Sequence, residues 1–229
     1  MYELFNFISS LFSSDPEEKE ERDRLRAQKK YTQRIAGKQV LADEWHPVKF
    51  PYQATIFNIQ RANKGYGSTC QISVRHIENE QYKDMIRLVN PKVKSFSFSN
   101  YHDIKPEDVA DAPTFKDVWP KIEPYFSGKN VITYYADAHL RALQATLKKN
   151  HLPELEMHFI DLYDYFCERH ESWESFSLDF VAEKLDLDSY PSAKHPKNTL
   201  DTITEILELM YEKHPGILKK LLGIKAKGK

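Results

Sequence analysis

From Tyr52 onward the chain alternates between short β-type runs and amphipathic helical runs, and this order restricts the fold more than any other feature. Residues 54–59, 69–77 and 83–89 read as consecutive strands separated by turn-forming stretches. Next come helix 114–126, strand 130–133, helix 136–149, strand 157–160, and helices 161–170, 176–185 and 199–213. Three sequential strands followed by alternating helices and strands predict an α/β domain on a mixed sheet.

Composition narrows the setting. The chain has 229 residues, a formal net charge of -1 and 41% hydrophobic residues, with 13 Tyr and 13 Phe available for a core. That balance excludes a strongly basic nucleic-acid binder, so any basic patch must be local. Cys70 and Cys167 are far apart and each sits among apolar residues, which fits two thiols in a reducing compartment and gives no zinc spacing. No run has the length of a membrane span. The first residues lack a basic n-region and Ser9-Ser10 interrupts their apolar stretch. A cytoplasmic location and no membrane partner are expected.

Residues 1–50 differ from the rest and read as a helical arm with a linker. Leu4, Phe5, Ile8, Leu11 and Phe12 form an apolar stripe at helical spacing. Asp15, Pro16 and Glu18 then provide a cap, a first helical position and a capping box. The helix that follows is acidic early and basic late, and Gly37 supplies its stop. "LADEWHPVKFP" reads as an extended connection to a domain over 51–214. Residues 215–229, ending "KKLLGIKAKGK", read as a basic solvated tail. The arm is expected to be dispensable for folding, with residues 1–48 serving a protein partner or self-association.

Within the domain, Asn58 and Gln60 stand two apart at the end of the first strand, so an extended chain turns them to the same face. Further on, "TCQISVRHIENEQYKDMIRLVNP", "NYHDIKPEDVADAPTFKDVWPKIEPYF", "NVITYYADAHLRALQATLKKNHLPE" and "SFSLDFVAEKLDLD" follow in order. These blocks resemble the DnaQ-like 3'–5' exonucleases of the DEDDh branch, which includes RNase T and the polymerase III proofreading subunit. The resemblance covers roughly residues 52–212 and implies an RNase H-like fold, a mixed five-stranded sheet flanked by helices.

The same resemblance implies four carboxylates holding two Mg²⁺ or Mn²⁺ ions, with a histidine as general base, because in-line attack on a phosphodiester needs an activated water and a clamp on the leaving oxygen. In this sequence Asn58 and Gln60 occupy the slots of the first acidic pair. Ala136 and Leu143 set a register that puts His139 in the next acidic slot. "KHPKNTLDTITEIL" puts Lys194 in the base slot and Thr199 in the last acidic slot, or Asn198 after a one-residue slip. Neutral amides cannot offset the charge of two divalent ions. The expected outcome is a catalytically inactive module with no metal cofactor.

Three functional classes follow from this reading. The first is a non-catalytic module binding single-stranded nucleic acid through Arg61, Lys64, Lys194, His195 and Lys197. The second is a protein-interaction scaffold working through the N-terminal helices. The third is an active 3'–5' exonuclease with Mg²⁺ or Mn²⁺ on displaced ligands, for which Asp137 and Asp201 are the nearest acids in sequence. Asp161 and Asp164 read instead as helix-capping charges. His139 with His195 would be a weak transition-metal pair, and "KGYGS" reads as an ordinary strand connection.

Overall fold

The computed structural model describes residues 40–41 and 44–224. The apolar stripe of residues 4–12 and the charged helix after Asp15 lie outside the described residues. So does the association surface assigned to residues 1–48, apart from 40–41 and 44–48.

Three antiparallel strands, β3 (Ala54–Arg61), β4 (Thr69–Glu78) and β5 (Gln81–Leu88), form a meander. Strand β6 (Asn130–Thr133) adds in parallel to β3, and β7 (His158–Asp161) in parallel to β6. The five long strands therefore run in the order β5-β4-β3-β6-β7. Two further strands of two residues each, β1 (Val40–Leu41) and β2 (His46–Pro47), pair with β5. The expected five-stranded mixed sheet is present and is extended at one edge.

Helices α1 (Ser99–His102), α2 (Pro106–Val109) and α3 (Phe115–Ile122) follow β5, with a 3-10 turn at Glu123–Tyr125. Helix α4 (Ala136–Lys149) links β6 to β7. Helices α5 (Leu162–Cys167), α6 (Leu178–Lys184), α7 (Pro196–Lys213) and α8 (Pro215–Leu221) complete the chain. Local chemistry sets several starts. Thr114 and Asp117 form a reciprocal capping box on α3, and the Ser177 hydroxyl accepts from Phe180 N–H at 3.3 Å to open α6.

The alternation of β3 separates two cores. Ala54 and Ile56 pack with Leu200, Ile203, Ile206 and Leu207 of α7, while Phe57 and Ile59 pack with Phe115, Trp119, Leu143 and Leu147 of α3 and α4. The sheet is thus buried on both faces, as its apolar strands require.

Two boundaries differ from the sequence reading. Val48 and Phe50 are buried in the α7-side core, so the connection before residue 51 belongs to the domain. The basic tail expected from residue 215 begins instead as α8, which buries Leu218, and Leu222 just beyond it is buried too. One apolar pair at i,i+4 outweighs its lysine-rich surroundings.

Candidate functional site

The carboxyl end of β3 carries Asn58, Gln60 and Arg61, and the pairing with β4 shifts register between Gln60 and Arg61. Helix α4 meets this end. His139, in its first turns, accepts at Nδ1 from Ile59 N–H at 3.2 Å. The ring is also edge-on to Phe57, with centroids 6.1 Å apart. Burial, and then the neighbouring Arg61 charge, push the imidazole down to about 4. His139 is therefore neutral at pH 7, with Nδ1 used as an acceptor and the proton on Nε2.

A cleft of about 350 Å³ opens beside this contact, lined among others by Gln60, Arg61, Phe98, Tyr101, His102 and His139. The Arg61 guanidinium lies 4.5 Å from the Tyr66 ring centroid and 5.5 Å from that of Phe98, and its Nη1 donates to Lys64 O at 3.1 Å. Phe98 and Tyr101 meet edge to face at 5.8 Å, and Tyr101 is 69% exposed. One wall of the cleft is thus aromatic and cationic. The sequence reading singled out Arg61 and Lys64 but missed Tyr66, Phe98, Tyr101 and His102. The available signal was the aromatic spacing in "SFSFSNYHD", where Phe98 and Tyr101 fall three apart.

Asn58 is buried, on the strand face shared with Ile56. Thr199 is half-buried on α7, where its hydroxyl accepts from Ser192 N–H at 3.3 Å. Lys194 and His195 stand exposed just ahead of α7. Lys197 lies elsewhere. It donates to both Asp201 oxygens at 3.0 Å and lines a second cavity with Arg75 and Tyr82. The structure therefore gathers Gln60, Arg61 and His139 around one cleft, connects Lys64 to Arg61 only through its backbone carbonyl, and turns Lys197 toward another cavity.

The acids weighed as replacement ligands are engaged. Asp137 is exposed and pairs with Arg141 at 2.7 Å. Asp201 holds Arg75 Nη2 at 2.6 Å as well as Lys197. Asp161 caps α5 through Tyr163 N–H at 2.9 Å, as expected, and also accepts from Tyr135 and Ala136 N–H at 3.1 and 2.7 Å. Asp164 sits in the first turn of α5. Among the described residues, no three His, Cys, Asp or Glu side chains converge to hold a metal ion.

A comparison with curated protein sequences finds no match. Solved structures do match. Exonuclease X in complex with 5' overhanging duplex DNA shares 16% identity and a TM-score of 0.52, covering 75% of this chain and 98% of that one. The nuclease domain of 3'hExo, a DEDDh member bound to rAMP, shares 14% identity and a TM-score of 0.60, covering 73% and 95%. An E. coli ExoI–ssDNA complex shares 11% identity and a TM-score of 0.61, covering 73% of this chain but 42% of that one. These likenesses establish the RNase H-like exonuclease fold. The family profile RNase T, described as exonuclease, matches residues 68–210. With more than half of its length matched in this way, the chain belongs to the RNase T exonuclease family, of the DnaQ-like type.

Proposed function

We propose that this protein is a non-hydrolytic member of its family, a module that binds single-stranded nucleic acid through the cleft without metal ions. The observation that carries the reading is the contact between His139 Nδ1 and Ile59 N–H, between the two amide side chains of β3. It supports placing His139 in the slot where the family carries an aspartate, next to Asn58 and Gln60 in the slots of the first acidic pair. This donor set does not fit two hard divalent cations. Asn58 and Gln60 bring no charge, the His139 nitrogen nearest the strand is already an acceptor, and the Thr199 hydroxyl is occupied by Ser192. Asp137 and Asp201 are paired with arginines, and neither lines the cleft.

What remains suits nucleic acid. Arg61 over two aromatic rings, with exposed Tyr101 and Lys64 nearby, offers cation and stacking surfaces at one place. Removing the family's carboxylates also removes their repulsion of phosphate. Similar folds have been captured with duplex DNA, with rAMP and with single-stranded DNA, which favours a nucleic-acid partner over the rival protein scaffold. With a net charge of -1 the contacts are few, so binding should be modest and strongly salt-dependent.

The test of catalytic silence is an end-labelled single-stranded DNA or RNA incubated with purified protein in Mg²⁺ or Mn²⁺. The expected result is an intact oligonucleotide. Metal-dependent shortening that follows the protein through repurification would overturn the reading and restore the active-exonuclease alternative.

A further inference from the structure

One turn before His139 on α4 stands a residue whose backbone and exposure are both unusual. Tyr135 adopts φ 64 and ψ 58, the left-handed region. For a bulky residue this conformation is a genuine outlier and persists only when its surroundings fix it. They do so here through Asp161. The parallel pairing of β6 and β7 sets Thr133 beside Asp161, and the Asp161 carboxylate takes the N–H groups of Tyr135 and Ala136.

The side chain held in this way is half-exposed, at 49%, and lies stacked on Tyr163 with centroids 4.2 Å apart and planes inclined by 29°. One ring face is therefore backed by Tyr163, Tyr134 meets the ring edge to face at 6.2 Å, and about half of the residue is exposed to solvent. Tyr135 O accepts from His139 N–H at 3.4 Å, so the stacked pair lies one turn of α4 from the cleft containing His139, Arg61 and Tyr101. The carboxylate beneath the turn belongs to Asp161, and a negative group there discourages phosphate. The favourable contact is with the ring itself.

We propose that Tyr135, braced by Tyr163, is a stacking platform for a nucleobase of the strand whose end occupies the cleft. The proposal rests on the nucleic-acid reading above and adds a second aromatic contact, one helical turn from His139. An unstacked base presents a π-face to a preformed ring, so the contact tolerates any sequence.

The experiment measures binding of a fluorescent single-stranded oligonucleotide in EDTA for wild type, Tyr135→Phe, Tyr135→Gly and Arg61→Glu, with a thermal melt of each. Glycine adopts the left-handed conformation without strain, so Tyr135→Gly should keep a cooperative melt, lowered only by the loss of its ring contacts with Tyr163 and Tyr134. It should bind about ten-fold more weakly, the loss of one base–aromatic stack, while Tyr135→Phe binds like wild type. An abasic oligonucleotide of equal length should abolish the difference between wild type and Tyr135→Gly. If Tyr135→Gly binds as tightly as wild type while Arg61→Glu is weakened, the platform is wrong and the cleft reading stands. An equal loss on the abasic strand also defeats the platform. Absence of binding by wild type defeats both.

Discussion

Arg61 and Arg75 are both strand residues lying over aromatic rings, and they show two opposite uses of the same side chain. Arg75, 1% exposed, makes a two-pronged pair with Asp84 at 2.7 Å, a third ionic contact with Asp201 at 2.6 Å and a bond to Thr204 Oγ1 at 2.9 Å. Tyr82 covers its guanidinium at 3.8 Å. Burial pulls the Arg75 charge down, but the two carboxylates outweigh burial and leave its pKa raised. Arg61 is only half-buried, and among the described residues no carboxylate pairs with it. Its side chain is held by the Lys64 carbonyl and by the ring faces of Tyr66 and Phe98. A satisfied arginine ties β4, β5 and α7 together. An arginine that no carboxylate among the described residues pairs with, beside a cleft, can meet an anion from outside. The comparison teaches that cation–aromatic contact alone does not identify a binding site; the counter-ions decide.

The contrast breaks most visibly at Asp84. Removing it with Asp84→Ala leaves the Arg75 guanidinium short of its main partner inside the sheet, which typically costs about 3–5 kcal/mol. Chemical denaturation should record that loss, while oligonucleotide binding by the folded fraction stays at the wild-type level. A negligible change in stability would show that the two arginines are not differently employed.

The next effect concerns His139, which joins the cleft to the fold. An unfolded histidine titrates near ~6.5, whereas burial and Arg61 hold the folded ring at about 4. Below the unfolded value the unfolded chain takes up a proton that the folded state resists. Stability is therefore complete above that value and falls as pH drops toward 4, by on the order of 2–3 kcal/mol from this group. Denaturation curves at several pH values should slope less steeply for His139→Gln than for wild type. Parallel slopes would mean that His139 titrates normally and that its Nδ1 contact with Ile59 N–H does not persist.

Much of the fold was legible in advance because strand alternation and helix amphipathicity are local. All five long strands and helices α3 to α7 lie within a few residues of the spans read from the pattern. Two-residue strands β1 and β2 carry no periodicity, and the four-residue helices α1 and α2 are too short to show one. The site was legible only where a motif sits on one element. Asn58 and Gln60 could be read from one strand, but Lys197 turned away because Asp201, one turn later, captures it. The double cap by Asp161 and the Arg75 cluster depend on sheet register and on α7 crossing β4, contacts between residues as much as 129 positions apart. No window of sequence contains such information. The aromatic wall of the cleft was legible only in part: Phe98 and Tyr101 show their spacing in one segment, but Phe98 meets Arg61 only through the return of the chain after β5.

The smallest expected effect bears most directly on function. The decisive measurement is a titration of a single-stranded oligonucleotide at low ionic strength, with EDTA and with Mg²⁺, using wild type and Arg61→Glu. Wild type should bind equally in both conditions and lose affinity steeply as salt is added. Arg61→Glu should bind more weakly by about 1 kcal/mol or more, losing one cation contact and gaining a repulsive one. A metal-free, salt-sensitive isotherm that weakens in Arg61→Glu is the predicted result. A flat response at low salt, or binding that appears only with Mg²⁺, would contradict a metal-independent nucleic-acid module.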